Sequence, residues 1–134
     1  MRIINYVIVV LAIIVATGCE TEQEAARNNI TTTWKIDQVT RDGADNTSVY
    51  LSNRDNYTIS FDEEGGFVES YVSLGAGEQT SIVGTWSINT NTTVLSLETD
   101  FSSRAFTIDL IDENNLKVTD QSQTDVVKIF YVLS

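Results

Sequence analysis

The sequence predicts an all-β domain: an antiparallel up-and-down meander of about eight strands closed into a barrel, with a two-sheet β-sandwich as the alternative. Three observations predict it. Beyond residue 30, apolar residues recur with period two rather than 3.6. The breaks between the alternating runs are short and rich in Gly, Asn, Asp and Ser, and short connections force antiparallel neighbours. A meander must also manage its edges, which closure removes. A sandwich needs a longer crossing, and only residues 41–56 could supply one.

The chain is expected to begin with a leader. Met1 and Arg2 make a short positive start, and Val7 to Ala16 is wholly apolar. Such a run suits a signal-peptide core and is too short to cross a bilayer comfortably. Small residues then lead into Cys19, as Val15-Ala16-Thr17-Gly18-Cys19. This stretch resembles the lipobox of bacterial lipoproteins, which implies cleavage after residue 18 and lipidation of Cys19. Cys19 is the single cysteine, so it has no disulfide partner, and a free thiol in an oxidising compartment is a liability. The competing reading is an ordinary secretory signal that leaves an incidental cysteine. The expected organisation is a signal peptide over 1–18, a tether over 19–30 and a barrel domain over 31–134. Within the tether, Glu20, Glu22 and Glu24 suit either a solvated spacer or a surface-export signal of the kind seen in Bacteroidota lipoproteins. Thr21 and Glu24 have the spacing of a capping box, which predicts a short helix over Thr21–Arg27 ended by Asn28 and Asn29.

The strands follow in order. Trp34 and Ile36 alternate with Lys35 and Asp37, a first strand over about 32–40. Arg41 to Asn46 is a turn-rich break, and Val49–Leu51 fits either a short strand or an irregular crossing. Tyr57, Ile59 and Phe61 make the next strand. Asp62-Glu63-Glu64-Gly65-Gly66 turns it into a return over 67–74, because glycine takes positive φ freely. Ile82, Gly84, Trp86 and Ile88 share one face of a strand over 81–89. Gly84 there permits close backbone approach, a bend, or room for the indole. Strands over 94–98, 105–111, 116–119 and 126–133 complete the count. The last is apolar on both faces apart from Lys128. Its outer face therefore calls for a cover, either the 20–30 segment or a docked partner.

From this point the chain resembles the lipocalin-like lipoproteins of Bacteroidota. The matching stretches are Thr33-Trp34-Lys35-Ile36, Tyr57-Thr58-Ile59-Ser60-Phe61 leading into Gly65-Gly66, Gly84-Thr85-Trp86-Ser87-Ile88, and Val94-Leu95-Ser96-Leu97. Phe106-Thr107-Ile108-Asp109-Leu110 and Leu116-Lys117-Val118 close the series. The resemblance covers about residues 31–134 and implies a lipocalin-like barrel on an outer-membrane lipoprotein, periplasmic or surface-exposed. True lipocalins carry Gly-x-Trp in the first strand; here Thr32 takes the glycine's place. Lipocalin-type ligand binding does not simply carry over.

Composition narrows the chemistry. With 8 basic against 19 acidic residues and a net charge of −11, the chain lacks the basic footprint that nucleic acid demands. Histidine is absent and Cys19 is committed to lipid, so Ser-His-Asp and Cys-His catalysis are excluded, as are most zinc sites. No carboxylate pair has the apolar setting of a glycosidase acid. Asp42, Asp45 and Asn46, and Asp120 with Asp125, lack calcium-loop spacing and read as turn residues. No enzyme, metal or cofactor is expected. The candidate binding residues are Trp34, Tyr57, Phe61, Tyr71 and Trp86, which suit either a small-ligand pocket or plain core. The expected role is a non-catalytic binding or interaction module. It would be held to the membrane by its lipid, with a protein partner or a small apolar ligand as its target.

Overall fold

The computed structural model describes residues 20–75 and 77–134; the leader expected over 1–18 and the lipidation expected at Cys19 lie outside the described residues. Helix α1 (Glu22–Ile30) comes first, followed by β1 (Thr33–Arg41), the two-residue β2 (Ala44–Asp45) and a single helical turn α2 (Thr47–Tyr50). The remaining strands are β3 (Asp55–Phe61), β4 (Gly66–Val72), β5 (Gln79–Ile88), β6 (Val94–Glu98), β7 (Ser103–Ile111), β8 (Asn115–Asp120) and β9 (Val127–Leu133).

All sheet pairings are antiparallel, in the order β2-β1-β3-β4-β5-β6-β7-β8-β9. The sheet also pairs β1 with β9 from Trp34–Leu133 to Arg41–Val127. That pairing closes eight strands into a barrel and leaves β2 as a short extra strand. The sandwich alternative is thereby excluded. The expected meander stands, each strand within about two residues of its expected bounds, in keeping with the usual slack at element ends.

The capping box forms as its spacing predicts. Thr21 Oγ1 accepts from the Glu24 N–H at 3.1 Å, and Glu24 Oε2 accepts from the Thr21 N–H at 3.2 Å. The helix nevertheless runs past Asn28 and Asn29 to Ile30. Ala26 and Ile30, four apart and on one face, are buried in the barrel's core, and that burial outweighs the weak helix propensity of asparagine. Residues 22–30, assigned to the tether, thus form a helix packed on the domain. Gln23 Nε2 donates to Ile88 O at 2.9 Å, and the Arg27 guanidinium sits 4.8 Å from the Trp86 ring centroid. The helix crosses the end of the barrel formed by the β3–β4, β5–β6 and β7–β8 turns. It does not supply the expected cover for β9. There Phe130 and Val132 remain half-buried on the outer face, with the Lys117 ammonium 5.2 Å from the Phe130 ring.

Two local outcomes depend on side-chain oxygens. Val49 and Tyr50 belong to the helical turn α2 rather than a strand, because Asp45 Oδ1 accepts from the Thr47 N–H at 3.0 Å. Thr47 Oγ1 meanwhile accepts from the Val39 N–H at 2.9 Å. In the β3–β4 turn, Asp62 Oδ1 accepts from the N–H groups of Glu64 and Gly66, while Gly65 takes φ +90°. Gly84 serves close backbone approach: a Cβ there would stand 2.0 Å from Glu98 O. The indole of Trp86 is not its reason.

The core runs the length of the barrel, from Ile30 under the helix to Val39 and Val127 at the opposite end, and its two indoles lie at the helix-capped end. Trp34 is 0% exposed, and its Nε1–H donates to Ile30 O at 3.0 Å. Phe61 meets Trp86 edge to face, centroids 5.7 Å apart at 80°, and Trp86 Nε1 donates to Asp62 O at 3.0 Å. Both indoles thus bury their rings while their one polar atom is satisfied.

A candidate binding mouth

The opposite end of the barrel is built differently. Glu69 on β4 shares strand parity with Phe67 and Tyr71, so it points inward, and it is only 5% exposed. Burying an unpaired carboxylate is costly enough that a partner is required. Arg104 on β7, in parity with Phe106, supplies it: the guanidinium forms an ion pair with Glu69 Oε1, and its second nitrogen lies 3.5 Å from Oε2. The Tyr57 hydroxyl donates to Oε2. Tyr131 faces the same group from β9. Tyr71 stacks on Tyr57 with centroids 6.4 Å apart and rings 18° from parallel.

The pair bridges a gap. β5 and β6 hold each other only from Thr85–Glu98 to Ile88–Leu95, so the wall parts between Ser81–Val83 and the β6–β7 turn. Arg104 reaches across the opening to β4 and keeps 32% of its side-chain surface in water. A second opening lies where β1 and β3, paired only over Thr33–Lys35, separate around α2. It forms a side groove of about 240 Å³ lined by Ile36, Leu51, Arg54 and Tyr57, among others. Asn56, at φ +54° beside the β3 bulge, helps shape it.

Burial above all, then the nearby Tyr131 and Glu69, raises the Tyr57 phenol well above its ordinary value. Burial, then Tyr50 and Glu69, raises Tyr131 likewise. Burial alone would lower Arg104, but the hydrogen bond and charge of Glu69 outweigh it and raise the guanidinium. The phenols therefore stay protonated and offer hydrogen bonds rather than a base. This has a measurable consequence. Above about pH 10 an unfolded tyrosine loses its proton while these two keep theirs. The unfolded chain then binds fewer protons, so stability contributed below about pH 10 is lost as pH rises, by up to about 1.4 kcal/mol per pH unit for each phenol. Urea unfolding at successive alkaline pH values is expected to show this slope, and the Tyr57→Phe, Tyr131→Phe double variant to flatten it.

The five aromatics singled out from sequence divide between the two ends. Trp34, Phe61 and Trp86 pack in the core under α1, whereas Tyr57 and Tyr71 flank the ion pair. Glu69 and Arg104 escaped the sequence reading. Their signal was present: each is a charge on the apolar parity of its strand, and the two are opposite in sign. Among the described residues no cluster of three or more acidic, Cys or His side chains is placed to hold a metal ion, and no helix is long and apolar enough to cross a membrane.

The chain's relatives match this architecture. A solved lipocalin-like protein from Bacteroides uniformis superposes with a TM-score of 0.60 at 12% identity, over 79% of this chain and 99% of that one. At that identity the likeness speaks for the fold alone. No curated protein matches the chain. The family model of the lipocalin-like domain matches residues 30–129, from the last residue of α1 into β9, and the chain belongs to that family.

Proposed function

We propose that this protein is a lipid-anchored, non-catalytic binding module of the cell envelope, and that the mouth holding Glu69 and Arg104 is its binding end. The observation that carries the reading is the divided interior. One end is sealed by α1 over packed aromatics, while the other holds hydrogen-bonding phenols around an ion pair. Such a mouth suits a ligand or peptide with polar groups. A purely apolar ligand would leave those polar groups unpaired, which is unfavourable in a buried site. The groove beside Tyr57 favours a second reading, a small hydrophobic ligand seated against the Tyr57–Tyr71 stack.

The anchor reading rests on the leader and the lone Cys19, since more than one acyl chain on that residue would hold the domain at the membrane. Labelling cells with an alkynyl fatty acid is expected to mark the wild-type chain and to miss Cys19→Ser, which should shift to the soluble fraction. Equal fractionation of the two would remove the anchor from the proposal. Native mass spectrometry of the protein taken from membranes tests the binding end: bound mass should vanish in the Glu69→Leu, Arg104→Met double variant.

A further inference from the structure

β5 is the longest strand among the described residues, and one of its sides is half empty. β4 pairs with it from Gln79 through Thr85, but β6 joins only from Thr85 onward. The Trp86 N–H donates to Gly65 O on the β4 side at 2.8 Å, which sets the parity. Even-numbered residues bond β4, so Gln79, Ser81 and Val83 turn their N–H and C=O toward the β6 side. Among the described residues no strand pairing or turn hydrogen bond meets Ser81 or Val83 there. An unpaired edge of this kind is a template for another strand, and folds normally blunt it with a lysine, a proline or a cover. This one carries none of them.

The ground beside the edge is shaped for contact. A notch of about 270 Å³ runs between Ser81–Val83 and the β6–β7 turn at Thr99–Phe101. Val83 is 66% exposed and Phe101 98% exposed. The turn that presents Phe101 is itself well held: Thr99 N–H donates to Ser102 O at 2.8 Å, and Phe101 N–H to Thr99 Oγ1 at 3.3 Å. The phenylalanine is thus held out in water by an ordered turn. Asp100 lines the notch and no lysine or arginine does; Glu78 and Glu98 are exposed at the two ends of the open stretch.

We propose that the β5 edge at Gln79–Val83, with Phe101, is a docking site for an extended, basic segment of a partner protein that adds a strand to the barrel wall. The free backbone groups specify a strand, Val83 and Phe101 specify apolar side chains on its outer face, and the acidic surround specifies lysine or arginine between them. A second copy of this chain is the wrong occupant. It would set Asp100 and the glutamates against their own counterparts, on two chains of net charge −11 each. The site lies on the outer side of the parted wall that Arg104 spans, and it stands independently of the lipid anchor.

The probe is a fluorescent hexapeptide of alternating lysine and valine, titrated by anisotropy into the purified full chain in detergent. Saturable binding that weakens with salt is expected. N-methylation of alternate peptide amides, which removes the donors of one edge, should cost about tenfold in Kd, as should Phe101→Ser at the fully exposed anchor. Val49→Ser, at another exposed apolar residue, on α2, should change nothing. Binding that ignores both N-methylation and Phe101→Ser is mere charge attraction and overturns the proposal, as does an absence of saturable binding. Sedimentation showing dimers that dissolve on Phe101→Ser would overturn it in favour of self-pairing.

Discussion

Trp34→Ala is expected to lower unfolding free energy by about 3–5 kcal/mol. Trp34 has no exposed surface, so truncation opens a cavity at the closed end. It also removes the indole donor to Ile30 O, leaving the Thr32 N–H as that carbonyl's remaining partner and loosening the last turn of α1. Against a total of about 5–15 kcal/mol for a domain of ordinary stability, this change alone is expected to bring the protein near the edge of folding. Trp34→Phe keeps most of the packing and loses one hydrogen bond, so a cost of about 1–2 kcal/mol is expected. Urea denaturation of the two variants gives the comparison. Equal midpoints for Trp34→Ala and wild type would mean that α1 does not seal the barrel.

Arg104→Met comes next in size. It leaves Glu69 almost wholly buried without its cation, which costs about 3 kcal/mol, the low end of the range for such pairs because Arg104 is partly in water. The Tm is expected to fall by roughly 10 °C or more. Adding Glu69→Leu removes the stranded charge, and most of that stability should return, since an apolar replacement of a buried pair is often neutral. The double variant therefore separates stability from function. It should fold like wild type while losing any ligand held at the mouth. If Arg104→Met alone melts with the wild type, Glu69 has another route to water and the mouth is open deeper than the pair suggests.

The barrel was legible because its rule is local. Period two along Tyr57-Ile59-Phe61 or Phe106-Ile108 marks a half-buried strand whatever its partner, and the Asp62 to Gly66 turn states its own geometry. Thr21 and Glu24 announced the start of α1 for the same reason, since a capping box spans one turn. Its end was misjudged because Ile30 extends the helix through contact with a core made by distant strands. The 20–30 segment, one of the two covers foreseen for β9, went elsewhere for the same reason: α1 followed the burial of Ala26 and Ile30 to the end of the barrel. The binding mouth stayed hidden because neither Glu69 nor Arg104 is unusual by itself. Each is one charge on an otherwise apolar face, and only closure of the sheet brings two strands thirty-five positions apart within reach.

By itself the sequence determined the class of the fold, the order of its strands, and the absence of histidine from any site, since composition, alternation and turn residues act over a few neighbours. Closure through β1–β9, the ion pair across the parted wall, and the unpaired half of β5 were decided only by the tertiary structure. All three depend on strand register, which is set by the simultaneous packing of the whole barrel rather than by any one stretch of it.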